Sequence, residues 1–125
     1  MSENNHNIEL SLIQKKLEDF ANDRNWKQFH STKNLSMALS GEVGELMELL
    51  QWLTEEQSNS PDEILKGKVS EELSDIFLYL LRIADLLKID LVKSSLDKIQ
   101  KNAEKYPIDK SYGSSKKYTE LSSDD

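Results

Sequence analysis

Residues 69–88 read VSEELSDIFLYLLRIADLLK, and this stretch decides the fold. Val69, Leu73, Ile76, Leu80, Ile83 and Leu87 recur at alternating steps of four and three, the period of one helix face. From Ile76 to Leu81 the segment is apolar nearly all round, and such a helix needs cover on more than one side. A chain of 125 residues supplies little of it, so the pattern predicts self-association into a larger bundle. The alternative is a central helix within one monomeric bundle.

The same period runs through the rest of the chain, which holds only four Gly and two Pro. A first helix is predicted over 8–25, with Leu10, Ile13, Leu17, Phe20 and Ala21 on one stripe. An irregular stretch, 26–31, leads to a second helix over 32–56. Ser60 as N-cap, Pro61 at the first helical position and Glu63 at the third would start the next helix, running to 88. Asp90 caps a fourth, which must end before Pro107. Residues 108–125 are polar, rich in Ser and Lys, and expected to be extended or mobile. The predicted organisation is thus an all-α, four-helix domain over 1–107 followed by a polar tail over 108–125.

Between Asn34 and Leu65 the chain has seven acidic residues and no Lys or Arg. Position on the helix separates them. At about 100° per residue, Leu35, Leu39, Val43, Leu46, Leu49, Leu50 and Leu53 define the buried face of the second helix. Glu42 falls within that face, Glu45 about 60° away at its edge near Trp52, and Glu48 further round. On the third helix, Glu72, Asp75 and Tyr79 run along one edge of the apolar face, with Glu71 about 100° away on the outer side. Two pairs, Glu42-x-x-Glu45 and Glu72-x-x-Asp75, therefore meet the core boundary. Semi-buried carboxylates that repel one another must take up protons or a cation. All-oxygen ligands select a hard cation, Mg²⁺ or Mn²⁺. Alternatively, Lys15, Lys68, Arg82 or Lys98 could neutralise some of these acids across helices. Gly41 and Gly44, interleaved with the acids, are costly inside a helix and imply close approach by a ligand or a neighbouring helix.

Composition excludes several classes of function. A net charge of −7 without a basic block is unsuited to clamping a nucleic-acid backbone. With no Cys, disulfides, thiolate zinc sites and cysteine nucleophiles are ruled out. No apolar run reaches the ~18 residues of a membrane span, and residues 1–7 lack a signal-peptide core. The expected setting is cytoplasmic, without membrane contact.

At the paired acids the chain resembles the all-α nucleoside triphosphate pyrophosphohydrolases of the MazG-like superfamily, and within it the dCTP pyrophosphatase branch. The superfamily motif, E-x-x-E followed after a spacer by E-x-x-D, is matched by Glu42, Glu45, Glu72 and Asp75. The similarity extends to Arg24-Asn25-Trp26-Lys27-Gln28-Phe29-His30, to Gln51-Trp52, to Asn102 and Tyr106-Pro107, and to the 115–121 segment. The resemblance implies that the four acids hold Mg²⁺, with Mn²⁺ as a possible substitute, against a triphosphate. It also implies that Trp26, His30, Trp52 and Tyr79 form the base and sugar pocket, joined by Asn102 and Tyr106. Glu45 and Glu72 are the candidate catalytic carboxylates, Glu45 as acceptor of the proton from water. Attack at the α-phosphorus would release pyrophosphate and leave a monophosphate, with dCTP or a modified dCTP as substrate and pool sanitation as purpose. The family assembles as dimers or tetramers, which agrees with the apolar excess at 76–81. Leu17 stands where that branch has a His, which leaves base preference open.

Trp26 and Trp52 could instead be ordinary core residues, and His30 a helix cap. A di-iron bundle would need Glu-x-x-His pairs on two helices, and the chain has that spacing only at Glu3–His6, since His30 follows Lys27 by three. The competing class is a non-catalytic helical adaptor or nucleotide-binding regulatory protein, although a plain adaptor groove has no use for unpaired buried charge.

Overall fold

A computed structural model describes residues 3–121, so Met1, Ser2 and residues 122–125 of the expected tail lie outside it. The chain forms α1 (Glu3–Asp23), α2 (Thr32–Leu50), α3 (Glu55–Asn59), α4 (Glu63–Leu86), α5 (Leu91–Lys105) and α6 (Ile108–Ser111). Single 3₁₀ turns lie at Lys27–Phe29 and Tyr118–Glu120. The fold is all-α, as the periodicity predicts, with no strand among the described residues. No helix among them is long and apolar enough to cross a membrane. The residues group into two compact units divided between Ile89 and Asp90. In the first, α4 packs chiefly on α2 and secondarily on α1.

Local hydrogen bonding sets the boundaries. Asn25 takes a left-handed conformation (φ 56°) after α1. Trp26 N–H then donates to Ala21 O at 2.9 Å and Asn25 N–H to Asn22 O at 3.1 Å, the two bonds of a Schellman stop. That stop turns the chain into the Trp26–His30 segment. Ser31 caps α2, its Oγ accepting from Asn34 N–H at 3.0 Å.

α1 starts at Glu3 rather than at residue 8, and two later boundaries also differ from expectation. The helix predicted over 32–56 ends at Leu50, because Thr54 and Gln57 form a capping box that starts α3. Gln57 N–H donates to Thr54 Oγ1 at 3.1 Å, and Thr54 N–H to Gln57 Oε1 at 3.0 Å. Ser60 is not the next N-cap. It closes α3, and Asp62 caps α4 by accepting from Leu65 N–H at 2.8 Å. Thr54→Ala should cost about 1 kcal/mol, lowering the melting temperature by about 3–5 °C. An unchanged melt would show that the box adds nothing.

The buried stripe of α4 also differs. Leu73 (52% exposed) and Leu80 (42%) are open, as are Leu87 and, on α2, Val43, although all were expected inside. Leu81 and Ala84 are buried instead, together with Ala21 of α1 and Leu35 of α2. A segment apolar on every side carries no phase of its own, so its neighbours choose the inner face. Leu73, Phe77 and Leu80, spaced i, i+4, i+7, remain uncovered.

In the second unit, Asp90 caps α5 as predicted, accepting from Lys93 N–H at 3.1 Å, and α5 stops at Lys105, before Pro107. The segment expected to be extended instead carries α6 and the second 3₁₀ turn. Tyr118 sets its ring edge-on to Tyr106 at 6.2 Å, beneath Lys105 Nζ at 4.8 Å.

Candidate active site

Packing α4 on α2 brings the two acid pairs together. One carboxylate oxygen from each of Glu42, Glu45 and Glu72 lies within 4.8 Å of the others. Glu42 and Glu72 are half-buried, whereas Glu45, expected semi-buried at the edge of the apolar face, is exposed. Asp75 lies one turn along α4, exposed, and its charge acts on both Glu42 and Glu72. Glu71 and Glu48 point to solvent.

Charge in this cluster is uncompensated. Among the described residues no ion pair joins a cation to any of the four acids: Lys15 pairs with Asp19 at 3.0 Å, and Arg82 with Asp85 at 3.4 Å. Glu42 Oε2 and Glu72 Oε2 are buried with no donor. An ionised carboxylate can only accept, so these oxygens need a shared proton or a cation. The hydrogen bond to Glu72, then burial and the charges of Glu45 and Asp75, push Glu42 up to about 7. For Glu72 the bond shared with Glu42 acts downward, but burial with Glu45 and Asp75 outweighs it and the carboxyl is raised. Three converging carboxylates, two of them with donorless buried oxygens, suit a hard divalent cation.

A pH dependence follows from Glu42. Its proton is held in the folded chain between about 4.5 and about 7 and released in the unfolded one, so stability present at low pH is lost as pH rises through 7. Metal-free protein should melt at progressively lower temperature from about pH 5 to pH 8, and Glu42→Gln should flatten that slope. A wild-type melting temperature that rises over this range in chelator would contradict the assignment.

Beside the acids lies a cavity of about 510 Å³, and Asp75 belongs to its wall. Trp26, His30 and Tyr79, three of the residues expected around a base, line it too. Leu17, Phe20, Leu35 and Leu78 make the remaining surface largely apolar. Trp26 stands edge-on to Phe20 at 5.5 Å and to His30 at 6.4 Å. His30 is half-buried, and burial, followed by the charge of Arg82, lowers its pKa, so the ring is neutral at pH 7.

Other expected residues lie elsewhere. Trp52 follows α2 at 87% exposure and is neither core nor cavity wall in this chain. Asn102 and Tyr106 belong to the second unit, where Tyr106 N–H donates to Asn102 O at 2.9 Å. A Cβ at Gly41 or Gly44 would meet nothing within 4 Å, so among the described residues no neighbouring helix makes the close approach that was one of the two expectations there.

From the sequence, Arg82 is a candidate counter-charge to the acids. It is instead a cavity residue, 5% exposed, with Nε and Nη2 buried and unpartnered. Its signal in the sequence is a lone cation between Leu81 and Ile83 in an otherwise apolar run.

Acid pairs on adjoining helices thus stand beside an aromatic-walled cavity in an all-helical chain. The MazG-like family model matches residues 38–121. The chain is 46% identical to dCTP pyrophosphatase 1 of Bos taurus and 45% to that of Homo sapiens, each over 107 residues, 82% of this chain. It spans 62% of the length of those relatives. A pyrophosphatase crystal structure from Archaeoglobus fulgidus matches with a TM-score of 0.75 and 34% identity, covering 79% of this chain and 93% of that one. The chain belongs to the MazG-like family.

Proposed function

We propose that this chain is a divalent-metal-dependent nucleoside triphosphate pyrophosphohydrolase. It would convert a deoxynucleoside triphosphate, dCTP or a modified dCTP, to the monophosphate and pyrophosphate, clearing such nucleotides from the cytoplasmic pool. The observation that carries this is the pair of donorless buried oxygens on Glu42 and Glu72 at the edge of an aromatic-walled cavity. Likeness to the dCTP pyrophosphatases supports the choice of substrate.

Glu42, Glu45, Glu72 and Asp75 would hold Mg²⁺, or Mn²⁺ in its place. When bound, the cation neutralises the triphosphate and makes water a better nucleophile. Glu45, exposed like Asp75 but converging with Glu42 and Glu72, takes the proton from the attacking water. The new oxygen–phosphorus bond forms at the α-phosphorus as the bond to the α–β bridging oxygen breaks, and pyrophosphate leaves with the electron pair. Trp26, His30 and Tyr79 hold the base and sugar. Roles for Asn102 and Tyr106 rest on the motif resemblance alone. The uncovered Leu73–Phe77–Leu80 stripe and the open Val43 and Met47 support a homo-oligomer, dimer or tetramer.

The exposed Trp52 is assigned to the nucleotide. Base stacking contributes ~1–3 kcal/mol, so Trp52→Ala should raise KM by about tenfold without lowering the melting temperature. A lowered melt with unchanged KM would return Trp52 to a structural role.

Supplying each of the four dNTPs with Mg²⁺ and assaying pyrophosphate tests the reading. Pyrophosphate from dCTP is expected. Silence with all four would overturn it in favour of a non-catalytic helical adaptor.

A further inference from the structure

The 115–121 segment takes no part in the proposed reaction, yet it folds back onto the end of α5. Gly113, at φ 73°, reverses the chain after α6, and Ser114 N–H donates to Ser111 O at 3.0 Å within the turn. The 3₁₀ turn Tyr118–Glu120 follows, closed by Glu120 N–H to Lys117 O at 2.8 Å and Leu121 N–H to Tyr118 O at 3.3 Å. That return brings the Tyr118 ring edge-on to Tyr106, with 6.2 Å between centroids and 83° between planes, and under Lys105 Nζ at 4.8 Å. Lys105 and Tyr106 are consecutive, so their side chains leave the helix about 100° apart, and one ring engages both. The clasp lies wholly within the second unit.

We propose that the 115–121 segment is a strap that holds the Tyr106 ring in the orientation in which it meets the nucleotide, with Tyr118 as the positioning residue. Tyr106 stands at a helix end, 37% exposed, where Pro107 stops α5. A free ring there would lose rotamer freedom when a ligand ordered it, and that loss weakens binding. A ring already held edge-on loses little. The strap therefore acts on affinity, which moves KM and leaves kcat. The inference rests on the reading that Tyr106 contacts the nucleotide.

The test measures dCTP kinetics and dCMP binding for wild type, Tyr118→Leu, Tyr118→Phe and Gly113→Val. Tyr118→Leu should raise KM and the dCMP dissociation constant about fivefold, the factor an aromatic pair is worth, at unchanged kcat. Tyr118→Phe keeps the ring and should bind like wild type. Gly113→Val leaves both tyrosines in place, but a β-branched residue resists φ 73°, so affinity should fall in the same direction. A Cβ at Gly113 meets nothing within 4 Å, so that effect belongs to the backbone. By NMR, Tyr106 should lose the ring-current shift from Tyr118 in Tyr118→Leu while signals of the first unit stay in place, and dCMP should move the Tyr106 signals of wild type. No pyrophosphate from any dNTP would sink the proposed reaction but leave the strap standing, provided that dCMP binding still falls with Tyr118. An unchanged dissociation constant in Tyr118→Leu, a loss confined to kcat, or wild-type Tyr106 signals that dCMP does not move would each overturn the strap.

Discussion

Glu72→Gln should lower kcat by more than about 100-fold, beyond the usual loss from removing a group that only supports a metal ligand, while Glu71→Gln keeps most of the activity. Both residues precede Asp75 on α4, but only Glu72 turns inward. Its carboxylate joins those of Glu42 and Glu45, and Glu71 faces solvent. The amide nearly preserves shape and removes one negative charge, so the loss reports the charge. The same change should relieve repulsion in metal-free protein, because Glu45 and Asp75 act on an already crowded carboxyl. Metal-free Glu72→Gln is therefore expected to melt no lower than wild type. Equal inactivation of both variants would place Glu71 behind the site as a supporting group. Exchanged results would mean that α4 turns its other edge to α2.

Chelation should have an equally large effect. With EDTA in excess, turnover should fall below detection and return on adding Mg²⁺ or Mn²⁺. A polyanionic triphosphate cannot settle beside four carboxylates that no cation among the described residues pairs with. Full turnover in rigorously chelated buffer would remove the metal from the proposal and leave the donorless oxygens of Glu42 and Glu72 to protonation alone.

Much of this site was legible before any coordinates. Helical angles placed Glu42 inside, Glu45 and Glu72 at the edges of their apolar faces and Glu71 outside, because a charged residue within an amphipathic pattern reports its own direction. The inner face of α4 was not legible: with Leu on both sides of the helix, the choice of Leu81 over Leu80 belongs to the helices packed against it. The break after Leu50 was legible in principle, since Thr54-x-x-Gln57 is a capping box, but the apolar period of α2 masked it. At residues 60–63 the Ser-Pro-Asp-Glu run offered two possible caps, and the end of α3 took Ser60. Arg82 escaped because its meaning depends on a cavity formed by α1, α4 and the Trp26–His30 segment, a conjunction that no spacing rule contains.

The most direct measurement is hydrolysis of dCTP in water labelled with heavy oxygen, with the products resolved by phosphorus NMR and mass spectrometry. Attack at the α-phosphorus should place the label in the phosphate of dCMP and leave pyrophosphate unlabelled. Label in pyrophosphate would move the attack to the β-phosphorus, and labelled orthophosphate with dCDP would move it to the γ-phosphorus. The first result would contradict attack at the α-phosphorus, and the second would contradict the assignment of this acid cluster to pyrophosphohydrolysis.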